Sequence, residues 1–149
     1  MDLSGRPMIG AGRRTEPWVI IDGDCAFCTS STNWLGDRLH RRDRPDARRV
    51  PYQFLDLDSF GLTEERTRHE MIWVAAGDVP AQLPGGAPAF AAWLQYAGMP
   101  YAVVGRLIAS RPIRPIARRV YQWVSRNRRR LPGGTPACAL PPPQPDSDR

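Results

Sequence analysis

The chain has 149 residues, 42% of them hydrophobic and 24% charged, with a net charge of +6. That length points to one domain with a packed core and polar ends to spare, not to two domains. No stretch approaches the roughly 20 apolar residues that cross a bilayer, and residues 1–15 lack the apolar run of a secretory signal, so the expected address is cytoplasmic.

Residues 1–16 mix Gly, Arg and Pro without periodicity, and residues 139–149 are Pro-rich and polar. Neither segment offers enough apolar surface to offset its ordering entropy, so both are expected to be flexible tails around a domain spanning 17–138. Trp18-Val19-Ile20-Ile21 is a short apolar run between Pro17 and Gly23, the pattern of a strand covered on both faces. From Cys25 to about Arg41, Phe27, Trp34, Leu35 and Leu39 recur at helical spacing, and Asp24 stands where an N-cap accepts the N–H of Phe27. A second strand is predicted over Val50–Leu55, with Pro51 near its start or on an edge.

Thr63-Glu64-Glu65-Arg66 opens a short polar helix. Met71–Val74 then reads as a third strand, turning at Gly77-Asp78 into a weak fourth near Val79–Leu83. Pro88–Ala97 carries Phe90, Trp93, Leu94 and Ala97 on one helical face and stops at Gly98. Tyr101–Ala109 and Ile113–Arg130 read as two more helices, the second with Ile113, Ile116, Ala117, Val120, Trp123 and Val124 on one side. This order fits an α/β class of thioredoxin-like arrangement, a mixed sheet flanked by helices, with a helical C-terminal extension.

The chemistry sits in Ile20-Ile21-Asp22-Gly23-Asp24-Cys25-Ala26-Phe27-Cys28: a buried strand, a glycine turn, then two cysteines one helical turn apart. In the first turn of a helix, residues i and i+3 share a face, so a disulfide between them is sterically feasible. Cys25, at the positive end of the helix, is the expected nucleophile, since free N–H groups and the macrodipole favour its thiolate. Cys28 is the expected resolving thiol, which attacks Cys25 and releases a mixed disulfide. Asp22 at the strand end has two roles open to it, an Asx-turn or a proton shuttle for Cys28. Asp24 opposes the thiolate that the helix terminus promotes, so the sign of the net shift is left open.

Asp22-Gly23-Asp24-Cys25-Ala26-Phe27-Cys28 after an apolar strand resembles the signature of the DCC family of thiol–disulfide oxidoreductases. Val120–Arg128 is similar to that family's closing helix with its Tyr and Asn-Arg, and Cys138 to its late cysteine, so the resemblance covers roughly residues 17–140. It implies a thioredoxin-like fold and dithiol chemistry at Asp22, Cys25 and Cys28. The dithiol reading itself calls for a disulfide- or thiol-bearing substrate, protein or small thiol, with an external reductant and no bound cofactor. Glu70 and Met71 stand where thioredoxins carry a cis-proline, and Ala26-Phe27 matches no familiar spacer, so neither docking mode nor potential carries over.

Other readings compete. Two cysteines with Cys138, His40 and His69 supply too few paired ligands for a closed zinc site, which makes metal the minor alternative. Asp22-Gly23-Asp24 also resembles the opening of haloacid-dehalogenase-like phosphotransferases, but the lysine such enzymes need is absent, because every cation here is arginine. Cys138, in a Gly/Pro loop, reads as an inert thiol, and the two histidines as ordinary surface residues. The arginines of 111–130 invite a noncatalytic module that binds an acidic partner or a membrane surface, with nucleic acid not expected. The plainer expectation is that the apolar side of these helices packs on the sheet and the arginines form a solvated face.

Overall fold

The computed structural model describes residues 8–128, 130 and 131. Among them are three strands, which form one sheet, and five α-helices. In chain order these are β1 (Trp18–Ile21), α1 (Ala26–Leu39), β2 (Arg48–Pro51), α2 (Glu64–His69), β3 (Ile72–Val74), α3 (Ala87–Ala97), α4 (Tyr101–Ala109) and α5 (Arg114–Asn127). Two short 3-10 turns, Tyr52–Phe54 and Leu57–Phe60, follow β2. The sheet order is β2-β1-β3, with β1 parallel to β2 and antiparallel to β3. This is the mixed α/β arrangement expected of a thioredoxin-like fold.

β1 is central because its four residues are apolar on both sides of the pleat, and all are buried. Successive side chains point to opposite faces. Trp18 and Ile20 accordingly join Val50, Leu55, Phe60, Ile72 and Val74 in one core, while Val19 and Ile21 join Leu39, Trp73, Trp93 and Leu94 in the other. The second core is roofed by α1 and α3, and it places the C-terminal end of β1 against the start of α1.

Several expectations are corrected. The second strand covers 48–51, not 50–55: Pro51 pairs with Ile21 at the last rung, and the chain then tightens into a 3-10 turn with Leu55 N–H on the Tyr52 carbonyl at 3.0 Å. Arg48 and Arg49 hide its start from an apolar pattern. The expected fourth strand near 79–83 does not form; β3 is instead met by a single antiparallel bridge between Ile72 and Gly85, framed by Trp73 N–H on Pro84 O and Gly86 N–H on Met71 O. Proline lacks a ladder donor, and Pro80 and Pro84 leave no longer run to pair.

The described part of the expected N-terminal tail, residues 8–16, is docked. Ile9 bridges to Leu55 and Arg14 to Gly77, and the Arg14 guanidinium lies 4.1 Å from the Trp18 ring centroid and 4.6 Å from that of Phe60. Residues 1–7, the tail 139–149 and Cys138 lie outside the described residues.

Two helices also differ from expectation. In α1 the buried residues are Thr29, Thr32, Gly36 and Leu39, whereas Trp34 is 59% exposed. Small residues let α1 close on the sheet, and the larger apolar ones fall on its flank. No residue of α5 is buried, so its apolar side does not pack on the sheet.

Candidate functional site

The site forms where β1 turns into α1. Gly23 makes that turn: a Cβ there would lie 2.8 Å from Pro51 Cβ, a distance real contacts do not reach. One Asp22 oxygen accepts the Asp24 N–H at 3.1 Å, closing an Asx-turn, and also accepts from Gln53 Nε2 at 3.1 Å. Gln53 accepts the Gly23 N–H at 3.1 Å and donates to the Asp24 carboxylate at 3.2 Å. Asp24 is therefore held toward Gln53, and the expected N-cap role passes to the next residue.

Cys25 is the N-cap. Its backbone is extended, with φ −93° and ψ 100°, and its Sγ accepts the N–H of Cys28 at 3.3 Å. A thiol here takes the place that Ser, Thr or Asp usually holds, facing the free donors of the first turn. Both thiols are free and partly buried.

Arg128, just past α5, closes the other side. One guanidinium nitrogen donates to Cys28 Sγ at 3.5 Å and another to the second Asp22 oxygen at 3.3 Å, so a single arginine links the thiol to the carboxylate. Both side chains of this ion pair are largely sheltered, at 16% and 11% exposure. Tyr121 anchors α5 nearby by accepting the Met71 N–H at 2.8 Å, and Ser125 donates to the His69 carbonyl at 2.6 Å.

The electrostatics separate the two thiols. Cys25 is lowered to about 6, chiefly by a hydrogen bond from the Cys28 thiol, with burial opposing and the Cys28 N–H and Arg128 assisting. Cys28 is pushed well above the ordinary thiol range, because it is the donor in that bond and is more deeply buried. Two sulfurs sharing one proton cannot both ionise easily, and the exposed end of the helix decides which keeps the charge. The sign that the sequence left open is thus a lowered Cys25.

The fold brings Asp22, Cys25 and Cys28 to one place, with Arg128 on both Asp22 and Cys28. Arg128 and Gln53 were missed. In the sequence Arg128 falls among the arginines of a solvated face and in the helix that carries the resemblance, with no role of its own. It stands 100 residues from Cys28, beyond the reach of any local pattern. Gln53 was read as one residue of a strand. Cys138 cannot be placed, since it lies outside the described residues. His40 pairs with Asp46 and His69 with the Glu65 carbonyl, and among the described residues no three His, Cys, Asp or Glu side chains gather as a metal site.

Beside Cys28 opens an apolar cleft of about 580 Å³ between α1, α3 and α5, lined by Phe27, Trp34, Leu35, Phe90, Ile116 and Val120 among others, with Asp22 and Arg128 at the cysteine end. Its volume is that of a small-molecule or side-chain site.

No curated protein and no solved structure gives a significant match to the chain. A family model does match, over residues 19–134, a span that contains all but the first residue of β1, the cysteine turn, β2, β3 and Arg128. The chain therefore belongs to the DCC1-like thiol-disulfide oxidoreductase family.

Proposed function

We propose that this protein is a thiol–disulfide oxidoreductase that cycles Cys25 and Cys28 between dithiol and disulfide. The observation that carries the reading is the pair itself: Cys25 Sγ caps α1 and is lowered to about 6, while Cys28 one turn on supplies the hydrogen bond. At neutral pH the Cys25 thiolate attacks one sulfur of a substrate disulfide, a new S–S bond forms, and the other substrate sulfur leaves as a thiolate. Cys28 then gives up its proton and attacks Cys25 Sγ, which expels the second substrate thiolate. Two electrons have passed to the substrate, and an external dithiol reverses both steps to restore the enzyme.

Arg128 supports the second step. Its cation sits on Cys28 Sγ and offsets the charge that develops there. Asp22, held by the same guanidinium, is the neighbouring base through which the Cys28 proton can leave, in addition to its part in the turn. A disulfide- or thiol-bearing substrate and an external reductant are the proposed partners, in a cytoplasmic setting.

Redox titration of the purified full chain, followed by alkylation and intact-mass analysis, tests this. The expected result is a two-electron transition that links Cys25 to Cys28, loss of turnover in Cys25→Ser, and a trapped mixed disulfide on Cys25 in Cys28→Ser. A titration that leaves both thiols alkylatable across the whole range overturns the reading.

A further inference from the structure

We propose that α4 and α5 form a docking face for an anionic lipid bilayer, on which the protein lies without spanning it. The claim stands apart from the thiol chemistry and rests on three observations. First, charge is segregated along the chain: Asp78 is followed by no acidic residue until Asp146, and nine arginines lie between them. Arg106, Arg111, Arg114, Arg118, Arg119 and Arg126 are all exposed.

Second, these arginines flank apolar side chains that nothing in the described residues covers. On α5, Ile116, Val120 and Trp123 follow one another at i, i+4 and i+7 and are 60%, 56% and 59% exposed. On α4, Val103, Val104 and Leu107 are about half exposed. A helix with an apolar stripe, an arginine-rich polar face and no buried residue is the pattern of an interfacial helix. Third, Trp34 of α1 stands at the same cleft as Ile116 and Val120 and is, like Trp123 of α5, 59% exposed, and tryptophan favours the headgroup level.

The bilayer is the occupant that satisfies both parts of this face. A second copy would bring arginine against arginine. A nucleic acid would meet the cations but leave Ile116, Val120 and Trp123 with no apolar phase to enter. No helix among the described residues is long and apolar enough to cross a membrane, so attachment would be to the surface.

Flotation of the full chain with vesicles tests the proposal, using phosphatidylcholine alone and phosphatidylcholine mixed with phosphatidylglycerol. The expected result is flotation with the anionic vesicles only, weakened by added salt, with a blue shift of tryptophan fluorescence. Arg118→Gln and Arg119→Gln should each weaken binding about fivefold. Val120→Ser with Trp123→Ser should weaken it by at least about tenfold. These side chains are exposed, so the variants should melt as the parent does; if the apolar pair unfolds, the arginine variants carry the test alone. Absence of flotation with anionic vesicles overturns the proposal. So does full binding by a folded Val120→Ser/Trp123→Ser variant, which would mark a site for any polyanion. Because the assay does not depend on redox state, its failure leaves the dithiol reading untouched.

Discussion

At Cys25 a weak acid occupies a position normally held by a neutral or carboxylate cap, and the consequence is a pH profile. Alkylation of Cys25 by iodoacetamide should reach half its plateau rate near pH 6 and stay flat above about pH 7.5, where an ordinary thiol near 8.5 would still be rising. Cys28→Ala removes the principal donor and should move that midpoint upward, whereas Cys28→Ser keeps an O–H donor and should move it less. The same shift acts on stability. A folded thiol lowered to about 6 contributes stabilisation that is fully present above the unfolded value and is lost as pH falls through 6. Cys28, raised in the fold, works the other way above about pH 8.5. The Tm of the reduced protein should therefore climb between pH 6 and 8 relative to Cys25→Ser and fall again above about pH 8.5. Arg128→Gln leaves the sheltered Asp22 without its cation and should cost about 1–3 kcal/mol, read as a lower Tm, while raising the Cys25 midpoint. Arg128→Lys should hold the midpoint closer to the parent value but recover little stability, since one ammonium cannot fork between sulfur and carboxylate.

At the scale of elements, what matters is how closely the helices approach. α3 and α4 are packed through Gly105, where an added Cβ would lie 2.6 Å from the Ala91 carbonyl oxygen and 2.9 Å from Gln95 Cγ. Replacing glycine by alanine in a helix interior ordinarily gains up to about 1 kcal/mol. Here the backbone oxygen cannot swing aside, so the helices must part, and overpacking of that kind costs about 1–3 kcal/mol. Gly105→Ala is expected to lower the midpoint of urea unfolding while leaving the Cys25 alkylation profile unchanged, because α4 does not touch the thiols. The unformed fourth strand shows the opposite case, in which prolines decide how little an element extends. Periodicity located β1, α3, α4 and the extent of α1 well because each depends on neighbours within a turn or a rung. It misread the end of β2, where a proline at the last rung gives way to a 3-10 turn that buries Tyr52 all the same, with Phe60 buried by the next one.

For the whole molecule, the docked N-terminal segment links the chain after β2 to the chain after β3, through its bridges to Leu55 and Gly77. Arg14 donates to the carbonyls of Gly12 at 2.7 Å and Gly10 at 3.2 Å while its guanidinium stacks between Trp18 and Phe60. Stacked, sheltered arginines contribute through packing as well as charge, each contact being worth about 1–2 kcal/mol. Arg14→Ala should release residues 8–16, visible as faster proteolytic nicking ahead of Trp18, with the redox midpoint of the cysteine pair unaltered.

The amino-acid sequence alone determined the central strand, the helix that begins at the cysteines, and the i, i+3 spacing of Cys25 and Cys28, because each is set by contacts within a few residues. It also carried the family resemblance, which lies in the same short motif. Only tertiary structure decided that Asp24 turns to Gln53 so that Cys25 becomes the cap, and that Arg128 crosses from the last helix to hold Cys28 and Asp22 together. It likewise decided that α5 stands with its apolar stripe uncovered. The cap and the Arg128 bridge depend on contacts between residues 29 to 106 positions apart, and no local periodicity encodes which distant side chain will arrive.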